Sequence, residues 1–173
     1  MPNDRGLWKK ALITVPAIVA VGFLMGIVSN SGFRNDWYAA LAKPWFQPPG
    51  WAFGAVWMTL YTMLGIALAA ILNAPRSAER TRGLILFGVQ LLLNFAWSPT
   101  FFAAHAIDWA LLDILATAAI VTMTIISFWR IRPLAGALLL PYLAWLCLAT
   151  ALNTETGRLN PGADSHPLGL TGA

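Results

Sequence analysis

An all-α integral membrane bundle of five transmembrane helices, with an aromatic, proline-rich loop between the first two, is the fold class this sequence predicts. Three observations predict it. Of 173 residues, 58% are apolar and only 10% charged, with a mean hydropathy of +0.67, which is too little charge to solvate a globular surface of this size. Charge-free runs cover residues 11–33, 44–75, 83–107, 114–129 and 133–154, and a helical span needs about 20 mostly apolar residues. The sequence has none of the short alternating segments that build a membrane β-barrel.

The first helix is expected at 9–29, behind Arg5, Lys9 and Lys10. A basic start followed by apolar residues resembles a signal peptide, but the run exceeds the usual length of about 7–15 residues and Ser29-Asn30-Ser31 is a poor cleavage site. It is read as a span. Between residues 43 and 57, Pro44, Pro48 and Pro49 forbid a regular helix, since each removes a backbone donor and pushes its predecessor toward extended geometry. Trp37, Trp45, Trp51 and Trp57 crowd the same region, out of nine tryptophans in the chain. A rigid loop dense in flat π-surfaces reads as a lid over a flat ligand.

Helices two to five are expected at 51–73, 82–104, 108–128 and 134–153. In the second, Gly54, Trp57, Tyr61 and Gly65 share a face. In the third, Gln90, Asn94, Trp97 and Phe101 form one stripe, and amides in lipid need partners, either across helices or at a polar patch of a pocket. The fourth carries Asp113, whose carboxylate costs at least a few kcal/mol in a membrane unless paired, solvated or protonated. It must face inward with Thr117, Ile120 and Thr124. With no Lys or Arg at comparable depth, it is expected to take hydrogen bonds from Trp N–H, amide or hydroxyl groups. In the fifth, Tyr142, Trp145 and Ala149 share a face, and Cys147 reads as a small buried hydrophobe. The domain is drawn as 1–153, and the Gly- and Pro-rich stretch 154–173 reads as a disordered tail.

Threading five spans puts eight basic residues at the N-terminus, the second loop and the fourth loop, against Arg34, Lys43 and Arg158 on the opposite side. The positive-inside rule then places the N-terminus in the cytoplasm and the tryptophan loop and C-terminus away from it. The net charge of +4 needs no nucleic-acid partner, because juxtamembrane cations face anionic lipid. Nucleophile motifs, phosphate loops and HExxH are absent from the sequence. His105 and His166 have no second metal ligand at a suitable spacing, so no metal site is expected.

Trp37-Tyr38, Leu41 to Pro44, Pro48-Pro49-Gly50, Trp57, Asn94 to Pro99 with Phe101-Phe102, Ala110 to Asp113, Leu140 to Trp145, Ala149-Thr150 and Leu152-Asn153 stand in an order and spacing that resembles the TspO/MBR family. These are the tryptophan-rich sensory proteins of bacteria and the mitochondrial translocator proteins. The resemblance implies a five-helix bundle, a homodimer through helix three, and a pocket capped by the first loop that takes protoporphyrin IX, haem or benzodiazepine-type drugs. No obligatory cofactor is implied; porphyrin or haem is ligand. Carried over by motif, the pocket residues are Trp45, Trp51, Trp57, Tyr61, Asn94, Trp97, Tyr142, Trp145 and Ala149. An enzyme-like alternative, light- and oxygen-dependent porphyrin breakdown, would use Trp57 and Trp145. The family's sterol-recognition stretch lacks its aromatic residue between Leu152 and Arg158, so sterol binding by that route is not expected. A helical bundle favours the bacterial inner membrane, and the resemblance leaves the outer membrane as the alternative.

Overall fold

Apolar length sets the helices. The computed structural model describes residues 4–171. Its elements are α1 (Asp4–Val28), α2 (Asp36–Ala40), α3 (Gly50–Leu72), α4 (Ala78–Ser98), a π-helical turn (Pro99–Ala103), α5 (Ile107–Ile131), α6 (Pro133–Ala137) and α7 (Leu140–Leu159). Among the described residues, five stretches are long and apolar enough to cross a membrane: Gly6–Val28, Gly50–Leu72, Ala78–Ala103, Ile107–Ile131 and Pro133–Leu159. The expected five-helix bundle is therefore the observed one, and α2 lies in the first loop.

Local chemistry explains where the helices stop and bend. Asn30 adopts a left-handed φ of 49°, which lets Ser31 N donate to Gly26 O at 2.9 Å and close α1. Ser77 caps α4 by accepting from Arg80 N at 3.1 Å. Pro99 has no N–H to continue the α4 ladder, and the next turn widens so that Ala104 N reaches Pro99 O at 2.9 Å. Pro141 likewise separates α6 from α7, because its ring clashes with the carbonyl four residues back.

Small residues bring α1 onto α3. A Cβ built on Gly65 would lie 2.6 Å from Val15 Cα, and one on Gly22 would lie 2.1 Å from the Tyr61 ring. Phe87 of α4 stacks on Phe128 of α5 at 5.6 Å. Asn153 of α7 donates to Ile107 O of α5 at 2.9 Å. By contrast, α3 and α7 hardly touch through their backbones; aromatic rings fill that seam, with Phe53 and Trp145 edge to face at 5.6 Å. Lys10 donates to Asn73 at 2.7 Å and Arg130 pairs with Glu79 at 3.7 Å, which gathers the start of α1, the α3–α4 connection and the end of α5 at one end of the bundle.

The C-terminal stretch differs from its expected disorder. Helix α7 runs through Asn153 to Leu159, because nothing breaks it before Asn160-Pro161-Gly162, and Glu155 and Arg158 pair at 2.6 Å on its last turn. Beyond it the chain folds back over the start of α5. Asp108 Oδ2 accepts from Leu168 N at 2.8 Å and Leu170 N at 3.1 Å, and Oδ1 accepts from Thr171 Oγ1 at 2.7 Å. Thr171 rests on Gly157, where a Cβ would come within 2.2 Å of its hydroxyl. Residues 172–173, the end of the stretch read as disordered, and residues 1–3 lie outside the described residues. A second difference is Cys147, which is exposed. It points away from the buried line of Tyr142, Leu146 and Asn153 on α7, and an outward face in lipid needs no burial in protein.

Candidate functional site

At the end of the bundle opposite Lys10 and Asn73, residues 30–50 fold over the helices. Asn35 caps α2 by accepting from Tyr38 N at 3.0 Å and donates its amide to Phe102 O of the π turn at 3.0 Å. Tyr38 OH reaches Gln47 at 3.3 Å. Asn160 pairs with both backbone groups of Ala42, at 2.7 and 2.9 Å, and Trp37 Nε1 donates to Ala163 O at 3.3 Å. Trp37 also stacks on His105 with ring centroids 4.3 Å apart. Lys43 donates to Tyr38 O and Leu41 O and lies 4.2 Å over the Tyr38 ring. Its charge is spent within the loop, and burial pushes its pKa down while pushing that of Tyr38 up. The loop is thus tied to the π turn on one side and to the C-terminal stretch on the other.

Beneath it lies a cavity of about 550 Å3, lined from α1, the loop, α3, α4 with its π turn, α5 and α7. That volume is within the range of small-molecule sites. Trp57, Tyr61, Asn94, Trp97, Trp145 and Ala149 all line it. Trp57 stacks on Tyr61 at 5.0 Å and meets Trp145 edge to face at 6.3 Å; Trp97 stacks on Phe101 at 5.0 Å. Asn94 fixes this wall from behind, because Tyr61 OH donates to its Oδ1 at 3.1 Å and its Nδ2 donates to Tyr142 OH at 2.9 Å. One amide therefore holds α3 and α7 at a set distance from α4.

The other three expected pocket residues lie elsewhere. Trp45 is 92% exposed and Trp51 76% exposed, and neither lines the cavity; their amphipathic rings stand outward at the end of the bundle, as in an interfacial aromatic belt. Tyr142 is 1% exposed and acts through Asn94 rather than on the cavity. Asn30, Ser31, Phe33, Arg34, Tyr38 and Gln47 are the loop side chains that do face the space. No described histidine lines it.

Asp113 lines the cavity, as its cost in lipid demanded. The partners expected for it are missing: Oδ2 is buried without a hydrogen bond. Trp97 Nε1, Thr117 Oγ1 and Asn153 Oδ1, all on cavity-lining residues, are also unpartnered. A buried polar group left so costs about 1–3 kcal/mol, more when charged. Gln90, on the stripe with Asn94 and Trp97, is fully buried with both amide atoms unpartnered and does not line the cavity. Asn153, Thr156 and Phe53 were missed as lining residues; the one available signal was the polar pair Asn153 and Thr156 at helical spacing on α7.

The profile of the TspO/MBR family matches residues 13–159. The chain is 38% identical over 158 residues to the translocator protein of Sus scrofa, covering 85% of this chain and 93% of that one. It is 38% identical over 157 residues to the tryptophan-rich protein TspO of Chlorobaculum tepidum, covering 88% and 99%. It is 35% identical over 127 residues to protein CrtK of Rhodobacter capsulatus, covering 73% and 79%.

Proposed function

Since the chain belongs to the TspO/MBR family of integral membrane proteins, we propose that it is a receptor or transporter-like protein that binds tetrapyrroles, protoporphyrin IX and haem among them, and other flat hydrophobic molecules such as benzodiazepine-type drugs. The observation that carries this reading is the cavity walled by Trp57, Tyr61, Trp97 and Trp145 under the tied-down loop. A planar macrocycle is held by stacking, and its carboxylates reach the mouth, where Arg34 lies. Porphyrin homeostasis or stress sensing is the corresponding role. On the same reading the bundle sits in a bacterial inner membrane with the N-terminus cytoplasmic, supported by the basic residues gathered at the end away from the loop, and pairs with a second copy through α4.

Titration of the protein in lipid nanodiscs with protoporphyrin IX, read as quenching of tryptophan emission, tests the ligand. Trp145→Ala removes a stacking wall and Ala149→Phe fills the space beside it, so each is expected to weaken binding by about 1–3 kcal/mol. Wild-type affinity in both variants would overturn the assignment of the cavity. A second reading, light- and oxygen-dependent breakdown of the bound porphyrin, is favoured by the close edge-to-face pair of Trp57 and Trp145 in the same wall. Loss of porphyrin absorbance beyond one equivalent per protein under illumination, abolished in Trp57→Phe, would select it over simple binding.

A further inference from the structure

Most of the cavity wall is apolar, but the part contributed by α5 and α7 is not. Thr117 is 1% exposed and Asn153 3% exposed; both line the cavity, and neither Thr117 Oγ1 nor Asn153 Oδ1 has a partner. The orientation of Asn153 is fixed, since its Nδ2 donates to Ile107 O at 2.9 Å and leaves the carbonyl oxygen over. One turn before Thr117 on the same face of α5, Asp113 adds a carboxylate with Oδ2 equally unpartnered. Neither ion pair found among the described residues involves Asp113. Among the described residues, the only basic side chain lining the cavity is Arg34, which is exposed on the loop.

A carboxylate oxygen and a hydroxyl held in a low-dielectric wall describe a receptor for a strong hydrogen-bond donor. We propose that the α5 face of this wall is a subsite for a protonated amine carried on a flat apolar body, with the rings stacked among Trp57, Tyr61 and Trp145 and the ammonium held by Asp113 with the Thr117 hydroxyl one turn on. The Asn153 carbonyl, held beside Ile107 O, about 15 Å of helix rise before Thr117, is too far from that hydroxyl to share the same ammonium. An ammonium has three donors, no acceptors and one positive charge, which matches in sign a pair of unpartnered acceptors of which one is a carboxylate. A carboxylate at the same place meets Asp113 as a like charge, so an anionic ligand is turned to put its acid groups toward Arg34. The inference rests on the cavity being the ligand site.

The test uses two probes with one ring system, pyrenemethylamine and methylpyrene, titrated into protein in phosphatidylcholine nanodiscs, with empty discs subtracted to remove partitioning into lipid. The readout is the ratio of the two affinities within each protein. Wild type is expected to favour the amine by about tenfold or more, the worth of one charge-assisted hydrogen bond, and Asp113→Asn to bring the ratio close to one. Thr117→Val, which keeps the shape and deletes the hydroxyl, is expected to lower the ratio less and serves if Asp113→Asn does not fold. Equal binding of the two probes to wild type, or an unchanged ratio in the variants, overturns the amine subsite and leaves the cavity standing. Failure of both probes to bind, or binding indifferent to Ala149→Phe, overturns the cavity assignment and the subsite with it.

Discussion

Gly22 lies so close to Tyr61 that an added Cβ would fall 2.1 Å from the ring, so α1 reaches the cavity wall through a residue with no side chain. Tyr61 in turn donates to Asn94 and stacks on Trp57, and any bulk at position 22 is transmitted to both. Gly22→Leu is expected to destabilise the bundle by about 1–3 kcal/mol through overpacking and to weaken protoporphyrin IX binding. Thermal unfolding in detergent and the quenching titration check the two effects separately. An unchanged midpoint with unchanged affinity would mean that α1 can shift freely against α3.

Tyr142→Phe deletes the hydroxyl that accepts from Asn94 Nδ2 and leaves that buried donor without its partner. A loss of about 1–3 kcal/mol is expected, visible as a lower unfolding midpoint, together with weaker ligand binding although Tyr142 does not line the cavity. Full affinity in this variant would show that Asn94 keeps its orientation from Tyr61 alone.

Asp108 is fully buried and accepts from three donors of the C-terminal stretch. Asp108→Asn removes the charge and turns one acceptor into a donor, which is expected to cost about 1.5–3 kcal/mol of local stability. Amide hydrogen exchange is expected to speed up both in 163–171 and in 35–47, because Trp37 with Ala163 and Ala42 with Asn160 couple the two segments. Faster exchange confined to 163–171 would show that the loop is held without them.

The proposed pairing of two copies through α4 predicts that bulk on the outer face of this helix disrupts association. A Cβ at Gly88 meets nothing within 4 Å, and Ile85, Val89, Leu92 and Ala96 are exposed along the same helix. Gly88→Leu and Ala96→Leu are expected to shift the protein toward monomer in mild detergent while leaving the unfolding midpoint within about 0.5 kcal/mol of wild type. Light-scattering mass analysis reads the state. A wild type monomeric at every concentration, in detergent and in nanodiscs alike, would remove the homodimer.

For orientation, Cys147 is exposed on α7 and is best replaced by Ser before any labelling. A cysteine at Trp45, which is 92% exposed in the loop, is expected to react with a membrane-impermeant thiol reagent from the non-cytoplasmic side. One at Ser77 is expected to react from the cytoplasmic side only. The reverse pattern inverts the bundle.

The spans were legible because apolar length is a local property, and the inward turn of Asp113 followed from its cost in lipid alone. Six of nine expected pocket residues reach the cavity because helical spacing fixes which side chains share a face. Trp45 and Trp51 rest on the family motif alone: no periodicity governs Trp45 in its proline-bound loop, Trp51 stands outward on the first turn of α3, and a tryptophan suits an interfacial belt as well as a pocket. The C-terminal stretch was illegible for another reason. Its composition is that of a disordered tail, and what orders it is Asp108, some 60 residues earlier, whose carboxylate gathers backbone N–H groups that leave no trace in side-chain chemistry. The missing partners of Asp113 were equally invisible, because absence of a contact is a property of the assembled bundle.

The seam between α3 and α7 is closed by Phe53, Trp57, Tyr142 and Trp145 rather than by apposed backbones. Rotation of one ring opens such a boundary, whereas separating two packed helices requires moving both. A hydrophobic guest dissolves in the hydrocarbon before it meets a membrane protein. On the proposed reading of the cavity as the ligand site, its occupancy follows the mole fraction of guest in the lipid, not its molarity in water. Dissociation constants expressed per volume of buffer will drift with the lipid-to-protein ratio, and those expressed per mole of lipid will not.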